Sequence, residues 1–183
     1  MRLFMVFLSR HYRDKQGGKV NEKQDEIFII HFFDLPSIGT GSKKLFQPHI
    51  TFLAHVLCTE NMEYENILRE VAKTAQETKP FSLDFERVEY FGINADKPVA
   101  QLSNSPESQA LHMRLLDNVT SLGLELGQPF YAGTHFQPHM TLEVGSYASS
   151  IETHEVDTFT VAVSHGNNEE TTEVIGNFAL NGS

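Results

Sequence analysis

Two short runs in this sequence are near copies of each other: Phe46-Gln47-Pro48-His49-Ile50-Thr51-Phe52 and Phe136-Gln137-Pro138-His139-Met140-Thr141-Leu142. Five of the seven positions are identical, and the other two are apolar in both runs. In a strand, residues i and i+2 point to the same face. His49 and Thr51 therefore project together while Ile50 and Phe52 turn to the core, and His139 and Thr141 do the same against Met140 and Leu142. Pro48 and Pro138 suit strand starts, where a missing N–H costs little. The copies stand ninety residues apart (49 to 139), about half the chain, which is the mark of a duplicated unit.

If the halves pack about a pseudo-two-fold axis, two imidazoles and two hydroxyls face one cleft. Such a set suits phosphodiester chemistry. Breaking a P–O bond needs a base for the attacking water or hydroxyl and an acid for the departing oxygen. Two histidines with ordinary pKa values near 6.5 can fill both roles near neutral pH, one neutral and one protonated. The threonine hydroxyls can donate to the non-bridging oxygens, where transition-state charge collects. The expected catalytic set is His49, Thr51, His139 and Thr141, with neither metal nor cofactor.

Elements must position these groups. Asn61 can cap a helix in which Tyr64, Ile67, Leu68, Val71 and Ala75 recur at helical spacing, with Glu63 and Glu65 in its first turn. Ser105-Pro106-Glu107 opens a second helix with a capping hydroxyl, a proline at the first helical position and an acid. Leu111, Leu115, Val119 and Leu122 follow on one face, and Gly123 suits a left-handed stop. Strands are expected at Arg2–Leu8, Phe81–Glu86, Val156–Val163 and Val174–Leu180. The apolar run Ile27–Phe33 suits either a core strand or a helix beginning near Asn21, and periodicity does not arbitrate. Pro36, Gly39 and Gly41 end it either way. The chain reads as α+β or α/β, with comparable helix and strand.

Composition narrows the function. With 183 residues, 40% hydrophobic, the chain is expected to form a single domain spanning 1–183, its repeat halves near 1–92 and 93–183. One cysteine, Cys58, rules out an internal disulfide and a Cys-rich zinc site, and fits a reducing, cytoplasmic setting. Leu3–Leu8 is too short for a signal peptide, and no run approaches the roughly 20 apolar residues of a membrane span. The 24 acidic against 14 basic residues give a net charge of −10, which argues against gripping a long duplex but leaves a small phosphate ligand open.

The repeated His-x-Thr pattern resembles the two-histidine (2H) phosphoesterase superfamily, which includes the RNA 2′,3′-cyclic phosphodiesterases also called 2′-5′ RNA ligases. Glu89-Tyr90-Phe91-Gly92, Lys97-Pro98-Val99-Ala100, Ser105-Pro106-Glu107 and Leu111-His112 resemble that family's second half. The resemblance implies an α+β fold of two pseudo-symmetric lobes, with antiparallel strands lining a central cleft and helices outside. It also maps catalytic roles onto His49, Thr51, His139 and Thr141.

Candidate substrate-binding residues are Tyr131, Phe136, Lys43 and His135. Lys43 and Lys44 can supply positive field near His49, and the Gly39–Lys44 run otherwise reads as a plain turn, lacking phosphate-loop spacing. Tyr131 can stack on a nucleobase, against the alternative that the aromatics before the second motif are core. His135 lies four residues before His139, but Pro138 disfavours the helix a zinc pair would need.

The expected activity is metal-independent hydrolysis of a 2′,3′-cyclic phosphate on an RNA end or nucleotide, by a monomer touching neither long duplex nor membrane. The same site could serve a 2′-5′ linkage or a cyclic oligonucleotide. A non-catalytic nucleotide-binding module is the remaining alternative.

Overall fold

The computed structural model describes residues 24–34, 37–39, 48–58, 64–92, 94–142, 153–165 and 172–182. The expected strand at Arg2–Leu8, the cap at Asn61 and the Lys43-Lys44 pair lie outside these. Among the described residues there are nine strands and two α-helices, in the order β1 (Asp25–Phe32), β2 (His49–Cys58), α1 (Tyr64–Glu77), β3 (Phe81–Phe91), β4 (Lys97–Leu102), α2 (Pro106–Ser121), β5 (Glu125–Leu126), β6 (His139–Thr141), β7 (Thr153–Val156), β8 (Thr158–Ser164) and β9 (Thr172–Ala179). Strand outweighs helix among the described residues, so the even balance expected from sequence is corrected.

All pairings among the described residues are antiparallel, and the sheet runs β7-β3-β4-β6-β2-β1-β8-β9, with β5 also on β2. This is the expected α+β fold. β7 pairs with β3 at one end of that path, yet Asp157 alone separates it from β8, which pairs with β1 near the other. Neighbouring Cα atoms are only about 3.8 Å apart, so the sheet must curl until its ends meet. At the meeting point His31 Nε2 lies 2.7 Å from His154 Nε2, and the His154 ring stacks on Phe33 at 3.8 Å.

The ambiguous run is β1, a strand buried on both faces. Ile27 and Ile29 join the main core with both helices, while Phe28, Ile30 and Phe32 pack with Ala162 and Val174 on the other side. A strand covered twice shows no alternation, which is why its period was unreadable. The helices follow their apolar stripes. Ile67, Val71 and Ala75 of α1 and Leu111, Leu115 and Val119 of α2 bury against Ile50, Phe52, Phe159 and Val161. Ser105 caps α2 by accepting from the Ser108 amide at 3.1 Å, and Gly123 takes the left-handed φ of 79° just past the C-cap. No helix among the described residues is long and apolar enough to cross a membrane.

Candidate active site

The two motifs pair with each other. β2 and β6 are antiparallel with Ile50 opposite Met140, the midpoint of each His-x-Thr. Extending that ladder one residue either way sets His49 across from Thr141 and Thr51 across from His139. A local two-fold axis thus runs between Ile50 and Met140. Both of these are buried, so alternation turns the four polar side chains to the opposite face of the sheet.

The flanking registers complete two rows across that face. Phe32 of β1 pairs with His49 and Val99 of β4 with Thr141, while Ile30 pairs with Thr51 and Gln101 with His139. His49 and His139 are diagonal neighbours, a relation that separates two residues by about 7–8 Å and their Cβ atoms by somewhat less. A phosphate accepting hydrogen bonds of about 3 Å from each side fits such a gap.

The two imidazoles differ in their surroundings. His49 is half-buried beside Phe32, with ring centroids 5.5 Å apart. His139 packs against Phe91 at 4.9 Å, and its Nδ1–H donates to the Gln137 carbonyl at 2.9 Å. That bond leaves the lone pair of the neutral ring on Nε2. Desolvation holds the His139 pKa below its ordinary value, outweighing the Gln137 carbonyl, which acts the other way. Thr51 is half-buried and Thr141 exposed.

The remaining candidates fall in different places. Phe136 is only 5% exposed, in the main core, with its ring stacked on His112 at 4.2 Å. It fixes the segment before the second motif and offers no face to a ligand, which corrects its expected role. Tyr131 is 56% exposed on a short 3-10 turn, with its ring edge-on to Phe130 at 5.3 Å. His135 is also exposed and stacks on that same Phe130. Lys43 lies outside the described residues.

The sequence reading gave no role of their own to Gln101 and His112. Gln101 is 4% exposed and pairs across the strand with His139. Its side-chain NH₂ donates to the carbonyls of Pro138 and Leu102, both at 3.2 Å, and its Oε1 is buried without a partner among the described residues. An isolated amide inside Val99-Ala100-Gln101-Leu102 was the available signal. His112 is the other, buried on α2 beneath both motifs.

No group of three or more metal-ligating side chains occurs among the described residues. A hollow of ≈ 210 Å³ lies where the sheet closes, lined by His31, Phe33, His154, Glu155 and Asp157 among others. None of the four motif side chains lines it.

The sequence profile of the 2′-5′ RNA ligase superfamily matches residues 37–162, more than half of the chain and inclusive of both motifs. A search of curated protein sequences finds no significant match. Solved structures share the fold. The TT0787 protein of Thermus thermophilus is 18% identical, with a TM-score of 0.58 over 86% of this chain and 99% of that one. LigT of Escherichia coli in its apo form is 16% identical, with a TM-score of 0.54 over 86% of this chain and 98% of its own. LigT complexed with 3′-AMP is 16% identical, with a TM-score of 0.51 over 87% and 99%.

Proposed function

This chain belongs to the 2′-5′ RNA ligase superfamily, the two-histidine phosphoesterase group its repeated motif resembles, and from that membership we propose that it is a metal-independent phosphodiesterase opening a 2′,3′-cyclic phosphate on an RNA end or a nucleotide. The observation that carries the reading is the Ile50–Met140 pairing, which gathers two imidazoles and two hydroxyls on one face. That LigT has been crystallised with 3′-AMP agrees with a nucleotide-sized ligand.

In this reading His139 is the general base. Burial favours its neutral form, and the Nδ1–H bond to Gln137 leaves Nε2 to take the proton of the attacking water. The water oxygen bonds to phosphorus, the bond to one ribose oxygen breaks, and His49 as imidazolium gives that oxygen its proton. The products are a ribose hydroxyl and a phosphomonoester. Thr51 and Thr141 donate to the non-bridging oxygens, whose charge grows in the transition state. The substrate is a small nucleotide or RNA end, and the enzyme acts as a cytoplasmic monomer without a cofactor.

The test is turnover of 2′,3′-cyclic, 2′-5′ and 3′-5′ substrates by the purified protein in EDTA. Cyclic phosphate opening that survives chelation is expected. Turnover confined to the 2′-5′ substrate would reassign the linkage. Activity lost to EDTA and restored by a divalent ion would sink the two-histidine mechanism, because a metal would then activate the water. Affinity without any turnover would favour the binding module.

A further inference from the structure

The second motif sits on a strand of only three residues, preceded by two 3-10 turns, Pro129–Tyr131 and Gly133–His135. Its ladders to β2 and β4 span few residues, and side-chain bonds add to the restraint. The restraint comes from β4, α2 and the loop between them. Gln109 Nε2 donates to the Gly133 carbonyl at 3.0 Å, Asn104 Nδ2 to the Phe136 carbonyl at 3.1 Å, and Gln101 Nε2 to the Pro138 carbonyl at 3.2 Å.

One member of this set reaches both motifs. His112 Nδ1–H donates to the carbonyl of Phe52, the residue after Thr51, at 2.7 Å. Its Nε2 accepts the Gly133 amide N–H at 2.8 Å, and its ring lies flat on Phe136, the interplanar angle being 4°. We infer that His112 is a positioning residue that locks the second His-x-Thr against the first through its two ring nitrogens and its stacked face. The inference rests on the proposed reaction and deepens it.

The chemistry demands a histidine. One ring nitrogen must donate and the other accept, along opposite edges of a flat group thin enough to stack. Only the neutral Nδ1–H tautomer does this. Burial favours that neutral form, pushing the His112 pKa down more strongly than the Phe52 carbonyl draws it up. Half-replacements separate the two bonds. Asparagine places an NH₂ near the Nδ1 position and can keep the bond to Phe52, whereas glutamine reaches the Nε2 position and can accept from Gly133. Phenylalanine keeps the stack and loses both.

The experiment compares His112→Phe, His112→Asn and His112→Gln with wild type in kcat, KM and Tm on the cyclic phosphate substrate. Exchange of the Gly133 amide is followed as a readout independent of turnover. A misplacement of about 1 Å can cost on the order of 10²-fold in rate. His112→Phe is expected to lower kcat roughly 10- to 100-fold with KM within about threefold, and to speed Gly133 exchange. His112→Gln should restore much of both; His112→Asn should restore less, because it secures only the first motif, which its own strand already holds. In a His139→Ala background, His112→Phe should add little, since the group it positions is gone.

Full wild-type kcat in His112→Phe at an intact Tm would overturn the inference, as would equal and additive losses in both backgrounds. Should His112→Phe fail to fold, the Gln and Asn variants carry the same comparison. A wild type whose turnover is indifferent to His49→Ala and His139→Ala would instead refute the proposed reaction. Gly133 exchange would still report whether the lock exists.

Discussion

The two near-copies of the heptapeptide are supported in different ways. Around His49 the restraint is the sheet itself: β2 runs ten residues and pairs with β1, β5 and β6. Around His139 the strand is three residues long, and side chains from β4, α2 and the loop between them add to its pairing. Near-identical sequence therefore places matching side chains on one face but not in matching environments. Desolvation lowers the His139 pKa and Gln137 sets its tautomer, while Thr51 is half-buried and Thr141 exposed. In the proposed reaction, that difference in embedding is what would divide acid from base between the two copies.

The largest test of that division is removal of each imidazole. His49→Ala and His139→Ala should each lower kcat by about 10²–10⁴-fold, the usual contribution of a general acid or base. Together they should cost less than the product of the two. The pH–rate profile then assigns the roles. A base must be unprotonated, so the rate rises as pH passes its pKa; an acid must be protonated, so the rate falls above its own. With the His139 pKa depressed, the rising limb should lie below 6.5 and vanish in His139→Ala, while His49→Ala flattens the falling limb. The opposite pattern would exchange the two roles.

The hydroxyls come next. Thr51→Val and Thr141→Val keep the shape and delete one donor, worth about 1–3 kcal/mol at a charged oxygen. Thr51 should cost more, because charge interactions strengthen as water is excluded and it is the more buried of the two. Equal losses in kcat would mean that the two sides of the site are solvated alike when substrate is bound.

Stability should report the same asymmetry through pH. Desolvation depresses the folded pKa of His139, and likewise of His31, His112 and His154. Below pH 6.5 the unfolded chain binds protons that the folded one refuses. Stability should therefore fall as pH drops from 6.5 toward the folded pKa values, by about 1.4 kcal/mol per pH unit for each proton taken up on unfolding. Urea titrations at stepped pH measure the slope. His139→Gln should reduce it, whereas replacing His49 tests whether the first copy contributes at all.

The smallest effect is expected at the start of α2. Ser105→Ala removes the cap on the Ser108 amide and should cost about 1 kcal/mol, or roughly 2–4 °C in Tm for a chain of this size. If α2 supports the second copy alone, the residual loss in kcat should match a mild His112 variant.

Much of this was legible in the residues. The His-x-Thr period of two foretold a shared face, and Ser105-Pro106 and Gly123 marked the ends of α2 because caps are local chemistry. The core of α1 followed from its apolar spacing. What was hidden depended on distant partners. β1 lost its alternation to burial on both faces. Phe136 stood open between substrate contact and core, and its stack on His112 within the main cluster places it in the core. The remaining described histidines look alike in sequence, yet His55 bonds Glu26 at 2.8 Å, His165 bonds Asp25 at 3.1 Å, and His31 meets His154. No spacing rule pairs residue 31 with residue 154.

The way the sheet closes also governs when the protein can fold. β1 lies between β2 and β8, and its pairing with β8 joins Ile30 to Thr160. A ribosome that has made both motifs has not yet made that second partner. Until it does, β1 offers one edge of unpaired amides and carbonyls along an apolar strand, the kind of edge that recruits other strands. Contacts so far apart in sequence also slow folding, because the chain must first close a long loop. The interval between completing the second His-x-Thr and delivering β8 is thus the period when a nascent chain most needs protection from its neighbours.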